Sequence, residues 1–163
     1  MIDRIRGGPG LTEAEIAGVE HEFGFSFADD HRAFLAERLP TGRGWPDWRD
    51  GDRDQLREKL ALPVEGVLFD VAERGFWYEG WGPQPAGAGE AVTVARRFLM
   101  TVPRLVPVHS HRYLPAGRGT SGHPVLSVMQ TDISGNGANL AAFLNNDFSG
   151  GRPTVAFWRD LVS

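Results

Sequence analysis

His109 and His111 are the residues of this 163-residue chain best spaced for chemistry. On an extended chain, residues two apart share a face. With His123 and Asp132 downstream they could supply a three-ligand zinc site with an open position, the donor set a small zinc hydrolase would use through His109, His111 and Asp132. The plainer reading is a pair at a sheet edge, its ring nitrogens bonded to backbone or carboxylate, and that reading leads; no metal or cofactor is expected. Asp70 and Asp132 sit on or just past otherwise apolar stretches. A carboxylate withdrawn from water must be paired or hydrogen-bonded, and the planar fork of Arg112 suits one of them. No sequence feature sets the distance between the two carboxylates, so they read as structural, not as a catalytic dyad.

Two further patterns lack the context their chemistry needs. Gly117-Arg118-Gly119-Thr120-Ser121-Gly122 fits G-x-G-x-x-G, but it leads into Pro124 and a predicted strand. A dinucleotide site needs a helix there, with its N-terminus facing the pyrophosphate. Ser121 is followed two residues later by His123, where a nucleophile elbow requires glycine. Binding chemistry is better represented. Trp45, Trp48, Trp77 and Trp81 all lie in or beside predicted loops, and tryptophan is enriched among the residues that dominate protein interfaces. Trp48 and Trp81 are better placed for contact than Trp77, which falls in a predicted hairpin.

These residues need elements to hold them. Thr12 and Glu15 form a capping box ahead of the stripe Ile16, Val19, Phe23, and Gly24 is the stop. Phe25 and Phe27 are an extended link. Asp29 or Asp30 can cap a second helix that turns Phe34, Leu35 and Leu39 inward and ends at Pro40. Thr41 to Gly51 is a loop. Asp52 to Leu60 predicts a short helix closing near Pro63. Val67, Phe69 and Val71 alternate, so Val64 to Val71 predicts a strand, turning at Glu73-Arg74-Gly75 into a partner strand Phe76 to Tyr78. Ala91, Val94, Ala95, Phe98, Leu99 and Val102 make the clearest helical stripe. Leu105 to His111 reads as an edge strand because of Pro107. Pro124 to Gln130, apolar on both faces, reads as a central one. A last helix carries Leu140, Phe143, Leu144 and Phe148. Helices and strands do not alternate strictly, which predicts a single α+β domain over 1–163, with a mixed or largely antiparallel sheet and about four to five helices.

Composition narrows the function classes. The chain is 41% apolar and 23% charged, enough at this length for a core without staples. It has no cysteine, which excludes disulfide scaffolds, thiolate metal sites and thiol nucleophiles. Seventeen cations, of which Lys59 is the single lysine, interleave with 21 acids to a net charge of -4. No concentrated basic face results, so no nucleic-acid partner is expected. No apolar run approaches the roughly 20 residues of a membrane span, and Met1 to Arg6 is not followed by a signal-type apolar run. A cytoplasmic protein with no membrane partner is the expectation.

An ordered series of segments then points to a family. It runs from Leu11-Thr12-Glu13-Ala14-Glu15-Ile16 and Phe23-Gly24-Phe25 through Trp45 to Trp48. Pro63-Val64-Glu65-Gly66-Val67-Leu68-Phe69-Asp70-Val71, Gly75-Phe76-Trp77 and Trp81-Gly82 come next. Pro103-Arg104-Leu105-Val106-Pro107-Val108, His111-Arg112-Tyr113-Leu114-Pro115, Pro124-Val125-Leu126-Ser127-Val128, Gln130-Thr131-Asp132-Ile133 and a helix ending at Asp147-Phe148 complete it. From Leu11 to Phe148 this resembles the SUKH superfamily, which includes yeast cell-wall-assembly regulators and many bacterial toxin-immunity proteins. The turn Ser134-Gly135-Asn136-Gly137 departs from the pattern, since relatives often carry bulky aromatic residues there. The resemblance implies an α+β fold, no catalysis, no cofactor and a protein partner. That partner would be a cognate toxin neutralised by occlusion or, alternatively, the client of a general regulatory or scaffold module. Trp45, Trp48, Trp81, His111, Arg112 and Tyr113 are the expected partner-binding residues, and Asp70, Trp77, Gln130 and Asp132 the structural motif.

Overall fold

Helix α1 (Glu13–Phe23) begins as its sequence requires. Thr12 Oγ1 accepts from the Glu15 amide at 3.1 Å, and Glu15 Oε1 accepts from the Thr12 amide at 3.0 Å, so both halves of the capping box form. Ile16, Val19 and Phe23 are buried, and Gly24 closes the helix in the left-handed region. The computed structural model that gives these contacts describes residues 5–162.

Helix α2 (Asp29–Glu37) departs from expectation at both ends. Its N-cap is Ala28, with no side-chain cap. Asp29 instead accepts from the Gly119 amide at 2.9 Å and Asp30 from the Gly122 amide at 3.0 Å. The glycine-rich loop is thus tied to the first turn of α2, and two of its N–H groups are spent on these side-chain carboxylates instead of a bound phosphate. Leu39 and Pro40 leave the helix for a short strand, β2 (Arg38–Pro40), antiparallel to β1 (Gly7–Pro9).

The largest correction concerns α3, one helix over Arg53–Arg74 where a short helix and a strand were expected. Asp52 caps it through the Gln55 amide at 3.0 Å, and Gly75 ends it. Proline inside a helix leaves the carbonyl four residues earlier without its N–H donor. Here the orphaned oxygen is that of Lys59, and the Tyr113 hydroxyl donates to it at 2.8 Å. With that repair the chain stays helical, and Val64, Val67, Leu68 and Val71 form a helical stripe, not an alternating strand. Phe76 to Tyr78 accordingly form no partner strand. They lead into a single 3₁₀ turn, Glu79–Trp81, and then α4 (Ala88–Leu99).

The main sheet is an antiparallel meander of β3 (Leu105–His109), β4 (Arg112–Pro115), β5 (Leu126–Met129) and β6 (Asp132–Gly135), in that spatial order. Pro107 lies on the edge strand and β5 is interior, as their sequences require. Side chains alternate between two separate cores. Val106, Val108 and Leu114 pack with α1, α2 and α5 (Leu140–Leu144). Leu105, Tyr113, Leu126, Val128 and Ile133 pack with the second half of α3, with α4 and with α6 (Trp158–Leu161). Helix α3 serves both, through Leu56 and Leu60 on one side and Val67, Leu68 and Val71 on the other. The fold is α+β, with six helices and two antiparallel sheets among the described residues.

Candidate functional site

The turn between β3 and β4, Ser110 and His111, is held from outside the sheet. Ser110 adopts a left-handed φ of 54°. Its amide donates to the Gly44 carbonyl at 2.7 Å, and its carbonyl accepts from Lys59 Nζ at 3.2 Å. His109 Nε2 lies 3.2 Å from the Arg43 carbonyl. A carbonyl only accepts, so this contact requires the Nε2–H tautomer. A Cβ on Gly44 would stand 2.7 Å from that same nitrogen, so only glycine lets the loop lie this close. The reversal at Ser110 also separates the two histidines. His109 packs against Trp45, with ring centroids 4.6 Å apart, while His111 lines a different cleft. The i, i+2 rule fails because the second residue is already in the turn. Asp132 is exposed at the start of β6, and among the described residues no group of three His, Cys, Asp or Glu is placed to hold a metal ion. The alternative zinc trio of His109, His111 and Asp132 is therefore not assembled.

On one side of this tip is a small slot of about 170 Å³, walled by Trp45, His109, Phe143 and Phe148 with Arg112 among them. Arg112 Nε donates to Asn136 Oδ1 at 3.1 Å, and its guanidinium lies 5.9 Å from the centre of the Phe143 ring. Among the described residues no carboxylate comes within ion-pair distance of it. The expected pairing with Asp70 or Asp132 is absent. Burial lowers the His109 pKa, and the nearby Arg112 and Lys59 charges lower it further, against the raising effect of its bond to Arg43. Burial, Arg112 and Lys59 lower His111 in the same way.

On the other side, α3 and the edges of β4 and β5 enclose a groove of about 530 Å³. Leu62 and Phe69 come from one helical face, and Met129 faces them from β5. They are 54%, 48% and 63% exposed, although all three are large and apolar. Gly66 brings the helix down onto the second hairpin, since a Cβ there would meet Gln130 Cα at 2.9 Å. Glu65 at the rim is engaged by both terminal nitrogens of Arg96, at 2.7 and 3.3 Å. His111 lines the groove beside buried Tyr113. None of Leu62, Phe69 and Met129 stood out in the sequence, because reading Val64 to Val71 as a strand placed Phe69 in a core. The usable signal was that Leu62 and Phe69 lie seven residues apart, off the helical stripe of Val64, Val67, Leu68 and Val71.

Three expected contact residues are corrected. Trp48 is 1% exposed, ringed by Phe23, Phe25 and Phe27 at centroid distances of 5.5 to 5.9 Å. Trp81 is buried between Phe98 and Phe157, both stacked on it. The loops that looked open in sequence fold back onto the two cores, so neither indole is offered to a partner. Tyr113 is likewise buried, and its hydroxyl is committed to Lys59. Trp77 is half-buried, its Nε1 donating to the Gly82 carbonyl at 2.7 Å. Of the structural motif, Asp70 is 2% exposed and its Oδ2 accepts from the amide and the hydroxyl of Thr131, at 3.1 and 2.6 Å. Gln130 takes the left-handed position of that turn, with φ 59°. Trp45, His111 and Arg112 remain accessible, divided between slot and groove. Among the described residues no helix is long and apolar enough to cross a membrane. No protein-family model, curated protein or solved structure matches the chain.

Proposed function

We propose that this chain is a non-catalytic protein-binding module whose principal contact surface is the groove between α3 and β5. The observation that carries the reading is the convergence of Leu62, Phe69 and Met129, each about half-exposed, in one concave site. Apolar side chains gathered in this way, unlike those scattered singly over a surface, mark interaction sites. A flexible methionine facing an aromatic ring suits a surface that moulds itself to a partner. The ordered segments shared with the SUKH pattern support a bacterial toxin domain as that partner. The module would act in the cytoplasm by covering the toxin's working surface.

The test is co-expression with toxin domains encoded beside this gene, followed by affinity measurement on the purified pair. Growth rescue and a stable complex are expected. Phe69→Asp or Met129→Asp should weaken the complex at least tenfold while the far-ultraviolet circular dichroism spectrum is retained. Rescue that survives both substitutions would remove the groove from the reading. Failure to bind any neighbouring toxin domain would remove the toxin.

A further inference from the structure

Among the described residues, the slot beside the β3–β4 tip holds a cation without a counter-charge. Arg112 is partly buried among Trp45, His109, Phe143 and Phe148, and its one hydrogen bond goes to a neutral amide. A guanidinium drawn out of water is stabilised most by a carboxylate that meets its fork. The acid nearest in sequence to the slot, Asp147, is turned to the amide and hydroxyl of Ser149. Lys59, which shares a different cleft with Trp45, donates to the Ser110 carbonyl and to no other group among the described residues. Both imidazoles at the tip are held toward their neutral forms, so they do not compete with Arg112 for an anion. Arg112 is thus a cation unpaired among the described residues, on a chain of net charge -4.

We propose that this slot receives a glutamate or aspartate side chain of a protein partner, its carboxylate on Arg112 and its methylenes between Trp45 and Phe148. Size argues for a side chain over a free metabolite. The volume of about 170 Å³ is below the roughly 300–1,000 Å³ of small-molecule pockets. The identity of the occupant rests on the protein-binding reading above, but the site does not share the groove and can fail without it.

The probe is glutamate capped as the N-acetyl methylamide, with the equally capped glutamine as its neutral twin and sodium acetate as a bare carboxylate. Each is titrated into the full-length protein and followed by the NMR signals of the Trp45 indole, the His109 ring and Arg112 Nε–H. Capped glutamate should shift these three together and bind at least tenfold more tightly than either comparator. Arg112→Gln should abolish the shifts, and Arg112→Lys should retain part of them. Equal response to glutamate and glutamine overturns the proposal, as does acetate binding as well as capped glutamate. So does undiminished glutamate binding in Arg112→Gln. The comparison of probes in the unmodified protein stands even if a variant fails to fold. Loss of partner binding in Phe69→Asp with the slot titration unchanged separates failure of the groove from failure of the slot.

Discussion

The two hairpins of the main sheet have turns of the same length and the same backbone device, yet they are fastened by opposite means. Ser110 and Gln130 each open a two-residue turn with a positive φ. Both turns lean on α3. The second is fixed by a buried anion, Asp70, which takes two hydrogen bonds from Thr131. The first is fixed by a partly buried cation, Lys59, through a single longer bond to Ser110, helped by the loop carbonyl of Gly44. Removing the buried carboxylate strands the two groups that donate to it, whereas losing the ammonium gives up one longer bond to a carbonyl. The molecule thus has one locked tip and one adjustable tip. The accessible cations and the open slot lie at the adjustable one.

The contrast can be broken by substitution. Asp70→Ala should have the largest effect, about 3 kcal/mol in urea denaturation, because it strands the Thr131 amide and hydroxyl. Arg74, 3.5 Å from Asp70 but largely exposed, adds little to this. A loss below about 1 kcal/mol would put the two tips on a par. Tyr113→Phe should cost about 1–2 kcal/mol by leaving the Lys59 carbonyl unmet. In a Pro63→Ala background a helical N–H is restored, so the same change should cost about 0.5 kcal/mol or less; a double-mutant cycle measures the difference. Lys59→Met should cost about 1 kcal/mol or less. Amide exchange around Ser110 should rise in that variant while Thr131 is unaffected, which sharpens the claim that the tips are fastened separately. Smallest of all, Met129→Ser should change stability by no more than about 0.5 kcal/mol, since its side chain contributes surface, not core.

Local signals were legible where local physics decides. Thr12 and Glu15 set the start of α1, Pro107 sent β3 to the edge, and the apolar run of β5 placed it inside. Helix α3 was not legible past Pro63, because the alternation of Val67, Phe69 and Val71 and the helical spacing of Val64, Val67, Leu68 and Val71 coexist in the same eight residues. The choice is made by tertiary packing: Val67, Leu68 and Val71 are buried in the second core, and the distant Tyr113 hydroxyl meets the carbonyl that Pro63 strands. The same misreading hid the groove. Trp45, His111 and Arg112 were singled out by residue type and line the slot or the groove, but Trp48 and Trp81 show the weakness of that route: a tryptophan in a glycine-rich loop marks a loop that folds inward as readily as one that reaches out. Asp29 and Asp30 illustrate it too, being chemically able to cap α2 yet claimed by a loop ninety residues on.

The bond between Tyr113 and Lys59 also constrains how the sequence could have been reached. Proline at 63 without tyrosine at 113 leaves a carbonyl stranded inside a helix. Tyrosine at 113 with an ordinary residue at 63 leaves nothing stranded, because one carbonyl oxygen accepts two hydrogen bonds. Of the two orders in which the pair could arise one substitution at a time, only tyrosine first avoids an ancestor weakened by the stranded carbonyl. Once proline has followed, the tyrosine can no longer be given up cheaply, and the pair becomes a ratchet.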